Sequence, residues 1–170
     1  GKTTTVINLA AGLAQQDKKI LVIDLDPQGN ATTGLGLSNL GNSSDTIYGV
    51  LNGTKSISEV IKKTEFENLN IITSNVDLSG LEVETASDNE RAFILKVKLA
   101  AYFNNSGGSY DYILIDCPPS LSLLTVMALV SSHSLLVPLQ TEFFALEGLT
   151  QLMKTIERIK TNLNPELKIR

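Results

Sequence analysis

A chain of 170 residues with 42% hydrophobic and 19% charged side chains is long enough to bury one sizeable core and too apolar for disorder. With 14 Lys and Arg against 18 Asp and Glu, its net charge is −4, which excludes a general electrostatic footprint for nucleic acid and confines any such contact to a local patch or to residues outside the chain. Its one cysteine, Cys117, excludes an internal disulfide framework and fits a reducing cytosol.

The chain opens on Gly1-Lys2-Thr3-Thr4-Thr5, which reads as the closing half of a phosphate loop, G-x-x-x-x-G-K-[ST], passing into a helix. In such a loop backbone amides cradle the phosphates, Lys2 reaches the β and γ oxygens, and the Thr3 hydroxyl sits on Mg²⁺. The helix adds its N-terminal dipole to the same anion site. Taken alone, the same residues also read as an ordinary helix start with a threonine cap. Val6, Leu9, Ala10, Leu13 and Ala14 recur at helical spacing and predict a helix over residues 3–16. Residues 20–23, all aliphatic, predict a strand buried on both faces. A helix followed directly by such a strand is half of a β-α-β unit, so a first strand is expected ahead of Gly1. The lack of an initiator Met and the opening in mid-motif read as a chain cut there, and the polar opening does not read as a secretory leader.

A phosphate loop lies at the carboxyl end of its strand; the helix runs to the far edge of the sheet and the next strand climbs back. Whatever follows Ile23 is therefore expected beside Lys2 and Thr3. That segment is Asp24-Leu25-Asp26-Pro27-Gln28, and strand alternation places Asp24 and Asp26 on one face, two carboxylates beside a phosphate and metal site. A strand-end turn whose Asp caps the next helix is the alternative. Pro27 ends the strand, and Gly29, Gly34 and Gly36 with Thr32 and Thr33 read as a pliable loop.

Beyond it, residues 41–45 form a loop with Asp45 as cap of a helix over 47–51; a short helix is expected over 57–61 and a strand over 69–73. Helices are predicted over 78–84 and 90–103, the second ending in the loop 104–108. Glu82, Glu84, Asp88 and Glu90 read as a solvated face. No repeat or inter-domain linker is visible, so residues 1–170 are expected to form a single, partial domain. Tyr112-Ile113-Leu114-Ile115-Asp116 is an aliphatic strand ending in a carboxylate, the Walker B pattern, in which the Asp holds the Mg²⁺ shell opposite the Thr hydroxyl. Pro118 and Pro119 stop the strand and stiffen the loop where a γ-phosphate sensor would lie. Cys117 and His133 lack a second thiol or imidazole and read as an inert buried thiol and a structural imidazole. The apolar window 121–139 is interrupted by Ser122, Thr125, Ser131, Ser132, His133, Ser134 and Pro138, so it reads as a buried helix over 121–130 and a strand over 134–139 rather than a membrane span. A helix over 145–159 carries Lys154 and Arg158 on one face with Glu157 between them, a solvated face with DNA or partner contact as the alternative. Residues 167–170 read as the beginning of a strand.

With these motifs in order, the chain resembles the deviant Walker A ATPases of the ParA/MinD superfamily, and within it the ParA (Soj) partitioning proteins of chromosomes and plasmids. The residues that carry the resemblance are Gly1–Thr5 with Asn8-Leu9-Ala10, Leu21–Thr32, and Tyr112–Ser120; Val137–Glu142 and Phe144–Gly148 match ParA better than MinD. The resemblance is weakest over residues 40–90. It implies an α/β, P-loop NTPase-like fold, a mostly parallel sheet with helices on both faces, here lacking the first strand. It implies a slow ATPase that dimerises around two ATP molecules, binds DNA non-specifically as the dimer and releases it on hydrolysis, which a ParB-like centromere-binding partner accelerates. It further implies ATP and Mg²⁺ as cofactors, a bacterial cytoplasmic, nucleoid-associated location and no membrane. Lys2 would bind phosphate, with Gly1, Thr3, Thr4 and Pro118 around the nucleotide; Thr3 and Asp116 would hold the metal; Asp26 would orient the attacking water and Asp24 support the site. The family's signature lysine would fall ahead of Gly1 and its DNA-binding residues beyond Arg170, so the chain as written is expected to bind ATP poorly and to aggregate through exposed sheet edges. A MinD-like membrane-associated ATPase is the alternative, against which stand Pro118-Pro119 and residues 140–148; it would end in a basic amphipathic helix past Arg170. A degenerate, non-hydrolysing fragment or scaffold is another. An iron–sulfur reductase of the nitrogenase iron-protein kind needs two ligating cysteines per subunit, and Cys117 stands alone.

Overall fold

The structure, a computed structural model, describes residues 1–38, 43–106, 108–139 and 145–170. Residues 41, 42 and 107 of the expected loops, and Gln140, Thr141, Glu142 and Phe144 of the resemblance, lie outside the described residues.

The sheet is built on the strand β1 (Ile20–Asp24), every residue of which is buried. On one side it pairs in parallel with β3 (Leu69–Ile72), on the other with β4 (Tyr112–Asp116), so that Ile20 stands opposite both Leu69 and Tyr112. The short β2 (Ile61–Lys63) runs antiparallel outside β3, giving the order β2-β3-β1-β4. This is the mostly parallel sheet that the apolar runs predict. Alternation then divides the core between the two faces. Ile20 and Val22 join Ala10, Ala14 and Ala31 from α1 (Lys2–Ala14) and α2 (Asn30–Gly34) on one face. Leu21 and Ile23 join side chains of α3 (Ile47–Leu51), α4 (Ile57–Val60), α6 (Ile94–Ser106) and α7 (Leu123–Ser131) on the other. Burying such Ile and Leu side chains contributes about 2–3 kcal/mol each, so the sheet orders the molecule.

Several boundaries differ from expectation. Residues 28–36 are not a loop throughout: Gly29, at φ 65, turns the chain into α2. The cap of α3 is Thr46, whose hydroxyl accepts from the Tyr48 N–H at 3.3 Å, while Asp45 lies in the preceding 3₁₀ turn Ser43–Asp45. The helix expected over 57–61 ends at Val60, and Ile61 opens β2. The two helices expected over 78–84 and 90–103 each begin as 3₁₀ turns, at Val76–Gly80 and Arg91–Phe93, before α5 (Leu81–Glu84) and α6. Ser122 caps α7 in position only, so that helix starts two residues later than periodicity suggests. Glu82, Glu84, Asp88 and Glu90 are all exposed, as expected, and Glu84 accepts a hydrogen bond from the Tyr48 hydroxyl at 3.0 Å at that surface.

The strand expected over 134–139 is only β5 (Ser134–Leu135), and it pairs in parallel with β6 (Lys168–Ile169), apart from the main sheet. This second unit is fastened by α8 (Ala145–Asn162) and by Asn164, whose buried side-chain amide donates to the carbonyls of Leu129 and Ser132, both at 2.8 Å, at the end of α7. Between β4 and β5 lies an apolar cleft of about 390 Å³, walled by Ile113 and Ile115, Leu135, Val6 and Leu9, and Leu129. The cleft lies against Ile113 and Ile115 of β4, which among the described residues is the end strand of the main sheet. Among the described residues no helix is long and apolar enough to cross a membrane.

Candidate functional site

The parallel strands β1 and β4 end together, with Asp24 opposite Asp116 in register. The N-terminus of α1 comes to the same edge. Gly1 is its N-cap and makes no side-chain capping bond, so the first-turn amides face outward where an anion would gain from them and from the helix dipole. Thr5 closes the turn by donating its hydroxyl to the Gly1 carbonyl at 3.0 Å. Thr4 and Lys2 are exposed, as a cationic phosphate contact requires.

One contact joins the two motifs separated by more than a hundred residues: the Thr3 hydroxyl donates to Asp116 Oδ2 at 2.8 Å. The other oxygen, Asp116 Oδ1, is buried and has no hydrogen-bond partner. Burial pushes the Asp116 carboxyl above the usual carboxylate range; the Thr3 hydrogen bond and the charge of Lys2 pull it back, and the charge of Asp26 raises it. Lys2, Thr3 and Asp26 thus all act on the Asp116 carboxyl. A buried carboxylate oxygen left unpaired is costly, and a hard cation beside a threonine hydroxyl is the chemistry that relieves it. Among the described residues no group of three or more His, Cys, Asp or Glu could hold a metal. The donor set suits Mg²⁺, which takes one or two protein oxygens and fills the rest of its shell with water and phosphate.

Asp24 and Asp26 do not share a strand face, because β1 ends at Asp24. Asp24 is fully buried and turns inward. Its Oδ1 accepts from the Asp26 N–H at 3.1 Å, and its Oδ2 accepts from the Thr32 N–H at 2.8 Å and the Thr32 hydroxyl at 2.7 Å. Burial, outweighing these three bonds, pushes its carboxyl up to about 6. Asp26 sits in the turn that follows, where its Oδ1 accepts from the Gln28 N–H at 3.0 Å and its carbonyl accepts from the Gly29 N–H at 2.9 Å. The Asp116 carboxyl feels the charge of Asp26, and its own charge reaches Asp24.

Pro118 is buried and, with Lys2, Asp116 and Pro119, forms the end of the cleft nearest the loop. Burial and the neighbouring Asp116 charge push the Cys117 thiol up to about 12, which makes it inert near neutrality, as expected. His133 differs from expectation: it is exposed, and it is its carbonyl that accepts from the Lys168 N–H at 3.0 Å. Lys154, Glu157 and Arg158 are exposed on α8, away from these groups. Sequence reasoning missed Thr32, whose signal, a hydroxyl eight residues after Asp24, has no meaning until α2 folds back onto β1.

The AAA_31 family, described as an AAA domain, matches residues 1–169. The chain is 49% identical over 169 residues to the chromosome partitioning protein ParA of Caulobacter vibrioides, covering 99% of this chain and 62% of that protein. It is 44% identical to the sporulation initiation inhibitor protein Soj of Bacillus subtilis, covering 99% and 65%. Among solved structures, a cobyrinic acid a,c-diamide synthase from Mycobacterium smegmatis with bound ATP analog and magnesium aligns with a TM-score of 0.89 at 36% identity, over 99% of this chain and 66% of that one. The chain therefore spans less than two thirds of the length of these curated relatives. With a match running from the phosphate-loop residues through β6, the chain belongs to the AAA_31 family of AAA domains and is of the ParA/Soj type.

Proposed function

We propose that this chain is the nucleotide-handling core of a partitioning ATPase. It binds ATP with Mg²⁺, hydrolyses it slowly, and pairs with a second copy around two nucleotides. In that state the protein holds DNA without sequence preference, and a ParB-like centromere-binding partner speeds hydrolysis and so releases it, in the bacterial cytoplasm on the nucleoid. The observation that carries this reading is the Thr3–Asp116 hydrogen bond beside an unpartnered buried Asp116 oxygen, at the helix end that bears Lys2. Lys2 offsets phosphate charge, Gly1 and Thr4 supply first-turn backbone, and Pro118 fixes the loop after β4. Thr3 and Asp116 hold the metal shell, Asp26 orients the attacking water, and Asp24 supports the turn that carries Asp26. Mg²⁺, when bound, neutralises charge on the β and γ oxygens. What remains for the protein is positioning, which suffices for phosphoryl transfer. The ParA and Soj relatives support the partitioning role.

The test is retention of the full-length protein on non-specific duplex DNA with ATP, with ADP and without nucleotide, at two salt concentrations. Retention only with ATP, weakening steeply as salt rises, is the expected result for a phosphate-contact patch. No retention in any nucleotide state would overturn the DNA half of the reading, and binding to anionic vesicles would then favour the MinD-like alternative.

A further inference from the structure

The Thr32 hydroxyl uses both of its hydrogen-bonding directions in the buried interior. It donates to Asp24 Oδ2 at 2.7 Å and accepts from the Ser74 N–H at 3.0 Å, while its own N–H donates to the same Asp24 oxygen at 2.8 Å. One side chain therefore binds three segments: the end of β1, the first turn of α2, and the backbone just past β3. Asp26 lies between two of these anchor points. Its N–H is held by Asp24 Oδ1, and the turn after it closes through Gly29 directly into α2. Gly29 itself takes a left-handed φ of 65, a conformation that side chains with a Cβ rarely adopt, so the entry into α2 is built on a glycine. The turn that carries Asp26 is thus fixed at its start by the Asp24 carboxylate and at its finish by the helix that Thr32 pins to that same carboxylate.

We propose that Thr32 is a positioning residue for the hydrolysis reaction: through Asp24 and the Ser74 amide it sets where Asp26 stands relative to Lys2 and Asp116. This rests on the assignment of Asp26 as the group that orients the attacking water. The hydroxyl is the one group that both donates to Asp24 and accepts from Ser74; its loss cuts the link to the backbone past β3 and leaves α2 held to Asp24 by the Thr32 N–H alone, loosening the turn between them. A displacement of about 1 Å in such a group is enough to cost on the order of 100-fold in rate without any change in the binding of the remaining substrate.

The experiment compares Thr32→Val, which keeps the shape and removes the hydroxyl, with Thr32→Ser, which keeps the hydroxyl, in the full-length protein. ATPase kcat and KM are measured alongside backbone amide exchange without nucleotide. The expected result for Thr32→Val is a kcat lower by about 10- to 100-fold, a KM for ATP within about twofold, and exchange at the Asp26 and Ser74 amides at least about tenfold faster. Thr32→Ser restores kcat to within about threefold of the original. If Thr32→Val does not fold, Thr32→Cys, with a weak donor and acceptor, is held to the same criteria. A kcat unchanged in the valine variant, a fall in kcat that serine does not rescue, or KM rising in step with the loss of kcat would each overturn the proposal. Should the unsubstituted protein show no ATPase activity, it is the Asp26 assignment that fails. Unchanged exchange at Asp26 and Ser74 in Thr32→Val would then show, independently, that Thr32 holds nothing in place.

Discussion

Asp24 and Asp116 stand side by side at the ends of neighbouring strands and serve different purposes because their partners differ. Asp24 spends its oxygens on protein donors, whereas Asp116 keeps one oxygen unpartnered beside Thr3. Two substitutions follow in the full-length protein. Asp26→Ala is expected to lower turnover by at least about 100-fold while nucleotide affinity stays within about threefold, and Lys2→Ala to abolish nucleotide binding in calorimetry. Unchanged turnover would remove Asp26 from the catalytic role, and retained affinity would remove Lys2 from the phosphate site. A third prediction concerns pH. Asp24 has its folded value raised from 3.8 to about 6, so between those values the unfolded chain has released a proton that the folded chain still holds. Its contribution to stability is therefore present below about pH 4 and lost as pH rises through 6. Relative to Asp24→Asn, which does not titrate, the original protein should lose on the order of 3 kcal/mol across that window in urea unfolding. A stability gap that does not change with pH would contradict the burial of the charge. That Lys2, Thr3 and Asp116 come together at one edge of the sheet was legible in the sequence, because a helix and the strands it connects return to the same edge. The inward turn of Asp24 was not, since alternation assumes a strand that continues, and β1 stops there.

At the level of elements, two glycines in helices show opposite balances. Gly12 in α1 has open space around its missing Cβ, so Gly12→Ala should stabilise by about 1 kcal/mol, the difference in helix propensity. At Gly49 in α3 the same Cβ would run into the backbone carbonyl of Ser44. The propensity gain of about 1 kcal/mol is then outweighed by overpacking of about 1–3 kcal/mol against backbone, which cannot swing aside as a side chain could. Thermal melts of the two variants should move in opposite directions, and a rise in both would show that the 3₁₀ turn before α3 yields easily. Long elements with strong periodicity, α1, β1, β4 and α8, were legible from the sequence. The short β2 was not: Ile61-Lys62-Lys63 offers one apolar residue, and its lysines are the kind that keep an edge strand from pairing further. Nor was α2, because Gly29 and Gly34 mask a helix whose anchor, Asp24, lies outside it.

For the molecule as a whole, the governing feature is the cleft beside β4. Among the described residues β4 pairs on one side only, and Leu9, Leu121, Leu136 and Leu139 are exposed. Open edges next to apolar surface invite association. A preparation of residues 1–170 alone should sediment as a concentration-dependent mixture at tens of micromolar, roughly the range where exposed edges aggregate. A single monomeric species throughout that range would mean the cleft closes in solution. The parallel fold class was legible in the buried aliphatic runs and their helical spacers, but strand order was not, because runs of Ile, Leu and Val carry no record of their neighbours.

The central position of β1 also sets a clock for biosynthesis. Its amino end is flanked by Lys19, whose N–H is held by Asp111, 92 residues away. A ribosome adding about 5–20 residues per second takes roughly 5–20 s to make that stretch. Through that interval β1 has emerged with one side committed to nothing, and after β3 appears it waits with a single neighbour. A nascent chain held at a stall site before Tyr112 would expose an entire aliphatic strand edge, the state in which this sequence most needs a chaperone.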